Sequence, residues 1–276
     1  MMGLFDNHNH SQFSFDGKKT TVEASALAAQ QKGLGGICFS DHCDFYVPPM
    51  KAAFENLVPE QFDVAEQQAE IDRVKKIVPQ PFKILKGIEI GMYDESRDQI
   101  RKTLKDNSFD QIIASVHYIE KTDPYYGGFY DGKTWKEAYG KYLETIYREM
   151  TWLGDFDIMG HYDYIVRYAS YPQTCIRYRD FSDIFDAMFK YLIEEGKALE
   201  INTKSYMDHG ERKVTLDIEV LKRYRDMGGE IISLGSDSHD SSRPGDRFDH
   251  FAAVLRSSGF RWCAHYEHRR LVQTPL

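Results

Sequence analysis

Short apolar runs alternate with longer segments of helical period throughout this chain, and most of the runs end in a histidine or an acid. Alternation of this kind predicts repeated βα units around a parallel sheet, because each buried strand must be followed by a helix that returns the chain to the same edge. The predicted strands cover residues 4–8, 36–40, 83–90, 111–115, 157–159, 198–202 and 230–234. The predicted helices cover residues 59–77, 96–105, 134–151, 181–195 and 215–227. Another starts near Thr20, where Glu23 has capping-box spacing, and stops at Gly33. No repeat and no low-complexity linker interrupts the pattern, so residues 1–276 are read as a single α/β domain. The stretch 44–59, with Pro48 and Pro49, is too long for a simple βα turn and is a candidate lid, as is the segment 121–132. Residues 251–276 are expected to supply a last helix and strand.

The strand ends carry the chemistry. His8 and His10 close the first run. On extended backbone, residues i and i+2 point the same way, so both imidazoles can face one ion. His42, Glu89, His117 and His161 follow the next four runs, and Asp237 and His239 follow the run ending at Leu234. In a barrel of parallel strands such positions converge on one mouth. A lone histidine beside an apolar run is ordinarily a hydrogen-bonded structural residue. Six histidines, Glu89 and Asp237 at strand ends together indicate a metal site. Nitrogen and carboxylate ligands without thiolate suit Zn, Mn or Fe, and more than four ligands imply more than one ion. Hydrolysis of a phosphoryl group is the chemistry that clustered ions serve.

Composition narrows the partners. Lys and Arg number 35 against 43 Asp and Glu, a net charge of −8, which disfavours nucleic acid. A mean hydropathy of −0.54 and the absence of a long apolar run leave no membrane span. Cys38, Cys43, Cys175 and Cys263 form no CxxC pair and are read as reduced thiols. With no basic-then-apolar leader at the start, a cytoplasmic location is expected. A homo-oligomer is left open.

An ordered set of segments resembles the polymerase and histidinol phosphatase (PHP) family of metal-dependent phosphoesterases. It comprises Asp6-Asn7-His8-Asn9-His10-Ser11, Ser14-Phe15-Asp16-Gly17, Ser40-Asp41-His42, Gly87-Ile88-Glu89, Ser115-Val116-His117, Gly160-His161 and Gly235-Ser236-Asp237-Ser238-His239. The resemblance implies a distorted (β/α)7 barrel, TIM-like, with three divalent ions. It places His8, His10, Glu89 and Asp237 on one ion, with Glu89 bridging to a second held by His117 and His161. Asp16, His42 and His239 would hold the third.

Residues 156–168 and 199–203 are also similar to the stand-alone histidinol-phosphate phosphatases of that family. This implies hydrolysis of L-histidinol phosphate in histidine biosynthesis by a metal-bridging hydroxide. Arg167 would clamp the phosphate, since planar guanidinium donors grip two oxygens at once. His239 or Asp16 would protonate the leaving alkoxide. An arginine is expected soon after Glu200-Ile201-Asn202-Thr203. The chain offers Lys204, Tyr206 and Arg212 instead, so Lys204 and Arg212 are candidates for the second phosphate clamp. His209, His250, His265 and His268 are read as solvated or structural. Three alternatives stand beside this reading: a PHP phosphoesterase acting on another small ester or on phosphotyrosyl protein, an amidohydrolase, and a non-catalytic metal-binding module.

Overall fold

The computed structural model describes residues 3–46, 61–210 and 212–276. Most of the candidate lid at 44–59 therefore lies outside the described residues. Twelve strands, β1 (Phe5–Asn9), β2 (Gly36–Phe39), β3 (His42–Cys43), β4 (Lys83–Gly91), β5 (Gln111–Ser115), β6 (Ile158–Met159), β7 (Ala198–Asn202), β8 (Asp208–His209), β9 (Arg212–Lys213), β10 (Ile232–Gly235), β11 (Trp262–Glu267) and β12 (Arg270–Pro275), are present among them. The helices are α1 (Val22–Gln31), α2 (Val64–Val74), α3 (Arg97–Asp106), α4 (Trp135–Leu153), α5 (Ser182–Glu194), α6 (Ile218–Asp226) and α7 (Phe248–Ser257).

Seven parallel strands run in the order β1-β2-β4-β5-β6-β7-β10. They are buried almost throughout because both faces are covered, the outer one by helices, and all but the polar β1 are rich in apolar residues. Ile37, Phe39 and Ile84 pack against Val22, Ala26 and Ala29 of α1 and Ile71 and Val74 of α2. A larger core joins Ile88, Ile90, Ile112, Leu199 and Leu234 to Leu143 of α4 and to Phe185 and Phe189 of α5. No ladder joins β10 back to β1 among the described residues. Instead the Asp237 N–H donates to the His8 carbonyl at 2.7 Å, and Asn9 bridges Ser238 in parallel. The register of β1 against β2 shifts between Asp6 and Asn9. The result is the distorted (β/α)7 barrel expected.

Local differences have physical causes. α1 is capped by Thr21, whose side chain accepts from the Ala24 N–H, and not by Thr20, whose hydroxyl is drawn inward to the His10 carbonyl. β2 stops at Phe39, and His42 lies on a separate short strand whose partner is Glu89 on β4. The C-terminal segment forms α7 and then an antiparallel hairpin, β11 and β12, rather than one strand. That hairpin lies across the starting ends of the barrel strands. His265 stacks on Phe5 at 3.6 Å, Glu267 pairs with Lys83, and Arg269 pairs with Asp157 at 2.6 Å.

Candidate active site

At the opposite end the strand termini gather the predicted ligands around a single carboxylate. Glu89 is fully buried, and its two oxygens face two different groups. Oε2 lies 3.2 Å from His8 Nε2, 3.5 Å from His10 Nε2 and 2.9 Å from His42 Nδ1. Oε1 lies 3.2 Å from His117 Nε2 and 2.9 Å from His161 Nε2. The i, i+2 spacing of His8 and His10 thus does bring both rings to one point. Asp237 Oδ1 closes the first group, 3.3 Å from His10 Nε2. Its backbone is left-handed at φ 48°, a conformation that aspartate tolerates better than most side chains.

A third, outer group lies toward solvent. His239 Nε2 is 2.9 Å from Asp16 Oδ2 and 3.4 Å from His42 Nε2, and Asp16 Oδ2 is 3.9 Å from His42 Nε2. His10, His42 and His239 also bring ring nitrogens close enough together to share an ion.

The electrostatics follow from this crowding. Burial alone would raise the Glu89 carboxyl, but His8, His117 and His42 hold it well below the usual carboxylate range. Burial opposes charge on His8, yet Glu89, Glu200 and Asp237 outweigh it and raise its pKa. His10 goes the other way, lowered by burial and by His239 and His42. Several nitrogen and oxygen atoms buried here have no hydrogen-bond partner, among them His8 Nε2, His10 Nε2, Glu89 Oε2 and Asp16 Oδ1. Such atoms are costly unless something binds them. Aimed at one another without donors between them, they fit divalent cations.

Several supporting residues were not singled out as site residues in the sequence. Glu200 accepts from His8 Nδ1 at 2.7 Å and from the His161 N–H. Asp44 lies 3.0 Å from His117 Nδ1, and Ser14 Oγ lies 3.0 Å from His10 Nδ1. Each fixes a ring so that its other nitrogen points at the centre. Two glycines make room for them. A Cβ on Gly91 would overlap the Asp44 carboxylate, and one on Gly235 would overlap Glu200 and His8. The signal in the sequence for Ser14 and Glu200 was the Ser14-Phe15-Asp16-Gly17 and Glu200-Ile201-Asn202-Thr203 segments. What those residues touch is set by contacts far apart along the chain.

Above the centre opens a cavity of about 330 Å³. Arg167 lines it although it is buried, held by Asp237 Oδ2, Asn202 Oδ1 and Ser205 Oγ, each at 3.0 Å. Lys204 also lines it, with Nζ 3.0 Å from Asp237 Oδ1. Arg212 does not. Its guanidinium donates to the carbonyls of Val166, Tyr171 and Gln173 and to the Tyr139 hydroxyl, so it ties loops together behind the cavity wall. Its candidacy as a phosphate clamp is corrected accordingly. The far wall carries Tyr164, Tyr168 and Asp123. Asp123 caps the short 3-10 turn Pro124–Tyr126 through the Tyr125 N–H, and burial pushes its carboxyl up to about 6. It belongs to the 121–132 segment, which thus forms cavity wall.

Among the described residues no helix is long and apolar enough to cross a membrane. A family model described as PHP domain matches residues 6–204. The histidinol-phosphatase of Lactococcus lactis subsp. lactis is 32% identical over 264 residues, covering 94% of this chain and 93% of that one. A protein of Clostridium acetobutylicum named "Probable histidinol-phosphatase" is 30% identical, with 86% of each chain covered. Among solved structures, the Lactococcus lactis histidinol phosphate phosphatase complexed with Zn, L-histidinol and phosphate matches with a TM-score of 0.87 and 28% identity. That match covers 99% of this chain and 100% of the other. The chain belongs to the PHP domain family.

Proposed function

We propose that this protein is a metal-dependent phosphatase that hydrolyses L-histidinol phosphate to L-histidinol and phosphate. The observation that carries the reading is the pairing of a carboxylate-centred histidine cluster with a mouth that has two chemical poles. One pole is cationic, Arg167 and Lys204. The other is the half-buried Asp123 carboxyl among tyrosine rings, suited to the ammonium or imidazole of an amino alcohol. A Lactococcus lactis relative of the same fold was solved with Zn and both products, L-histidinol and phosphate.

His8, His10, Glu89 and Asp237 would hold one divalent ion. Glu89, His117 and His161 would hold a second, and Asp16, His42 and His239 a third, as Zn, Mn or Fe. Bound there, the ions supply Lewis acidity and a water of lowered pKa. The chain's own residues do the rest. Arg167 is oriented in advance by Asn202 and Ser205, so its planar donors meet phosphate oxygens without reorganising. Lys204, which lines the same cavity, would serve as the second clamp. Of the two candidates for protonating the leaving alkoxide, Asp16 fits poorly: burial would raise its carboxyl, but His239 and His42 hold it far below the usual range. That leaves His239, which could donate only while its ring is not held by an ion. A location in the cytoplasm agrees with a biosynthetic substrate.

The test is phosphate release from L-histidinol phosphate against a panel of phosphomonoesters, with and without chelator. The expected result is a strong preference for histidinol phosphate that chelation abolishes. Glu89→Gln is expected to lose activity by on the order of a thousand-fold or more, since it removes a ligand charge shared by two groups. A preference for another ester would overturn the substrate, and hydrolysis that survives complete metal removal would overturn the mechanism.

A further inference from the structure

The three groups of ligands differ in how they are held. The side chains of His8, His10 and Glu89 are wholly inaccessible, whereas Asp16 is 35%, His42 12% and His239 16% exposed. His8, His10 and His117 are each oriented by a carboxylate or hydroxyl behind the ring. His239 faces a cation. Lys204 Nζ lies 3.0 Å from its Nδ1, and the carbonyl of Asp237 lies 3.0 Å from the same atom.

These two neighbours favour opposite tautomers. An ammonium has only donors, so its contact is a hydrogen bond when Nδ1 carries the lone pair. The ring proton is then on Nε2, from which Asp16 Oδ2 accepts at 2.9 Å. A ring that gives Nε2 to an ion must carry its proton on Nδ1, where the Asp237 carbonyl at 3.0 Å is the nearest acceptor and Asp237 Oδ1 lies 3.5 Å away. Lys204 therefore opposes the outer ion twice, by charge and by tautomer, and the inner ion at Asp237 Oδ1 by charge alone.

We propose that Asp16, His42 and His239 hold the most weakly bound ion, and that Lys204 couples its occupancy to the arrival of the substrate's phosphate. The inference rests on the metal-dependent reading above. Lys204 and Arg167 line the cavity in which the phosphate would sit. A phosphate dianion there draws the Lys204 ammonium off the ring, the proton moves to Nδ1 and the Asp237 carbonyl accepts it, and Nε2 is released for the ion. By linkage the ion then favours phosphate to the same degree.

The test is equilibrium dialysis of Mn²⁺ against the purified full chain, reading bound metal per chain with and without inorganic phosphate. Without phosphate, two ions are expected to resist dilute chelator while the third is lost. Phosphate should tighten the third on the order of ten-fold. In Lys204→Met the third ion should bind more tightly without phosphate, also on the order of ten-fold, because the opposing charge is gone. The gain from phosphate should shrink. Lys204→Arg keeps the charge and donors and should keep the weak site, while Asp16→Asn should lose the third ion alone. Three ions leaving in one step, or an unchanged phosphate-free affinity in Lys204→Met, would overturn the proposal. A chain that binds no ion at all would instead overturn the metal-dependent reading itself.

Discussion

The two ends of the barrel are built from the same strands and solve opposite problems. At the starting end, the hairpin of β11 and β12 pairs opposite charges: Glu267 takes Lys83, and Arg269 takes Asp157 and Asp155, while only His265 Nδ1 and Tyr266 Oη of its described side-chain atoms are buried without a partner. At the other end, like groups are packed together and buried nitrogen and oxygen atoms are left without partners. Satisfied polar contacts close a fold, and unsatisfied ones held in place wait for a ligand.

The contrast can be broken first at the active end. Glu200→Gln leaves the fold intact but weakens the acceptor behind His8 and the His161 N–H. Metal affinity, read by competition with a chelating dye, is expected to fall about 10- to 100-fold, with activity following. An unchanged affinity would show that the ring is positioned by packing alone.

A smaller effect should come from Asp123. It must be ionised to receive a cationic substrate, so kcat/KM is expected to fall as pH drops through about 6, the value to which burial pushes its carboxyl. Asp123→Asn should lose that limb of the pH profile and show a raised KM. Stability runs the other way. The folded carboxyl titrates above its ordinary 3.8, so its contribution to stability is present below that value and lost as pH rises through about 6. Thermal melts at pH 5 and pH 8 should narrow their gap in the variant.

The least effect on activity is expected at the satisfied end. Arg269→Met strands the mostly buried Asp157 carboxylate and should cost about 2 kcal/mol of stability, visible as a lowered Tm. The catalytic constants should not move. A fall in kcat with no change in Tm would mean that the two ends are coupled.

Much of this was legible in the sequence for a reason that concerns period and order. Strand ends converge in any parallel barrel, so reading His8, His10, Glu89, His117, His161 and Asp237 at the ends of apolar runs already predicted a common mouth. Illegible were the groups that orient those side chains. Glu200 meets His8 from 192 residues away and Asp44 meets His117 from 73, and no local pattern encodes such pairs. Arg212 misled for the complementary reason. Its sequence position places it near the site, but the direction of its side chain is decided by three loop carbonyls.

The sheet order also has a consequence for how the molecule is made. His8 lies on the first strand and His10 just beyond it, whereas Asp237 and His239 follow β10, which is nearly the last element of the barrel to be synthesised. A nascent chain therefore carries seven of its nine candidate ligands well before Asp237 and His239 exist. The first and third groups are complete only once translation has passed Asp237 and His239, and the hairpin that seals the opposite end emerges only afterwards. A growing chain stalled in its last quarter would present an open barrel with its first histidines exposed to any free cation in the cell.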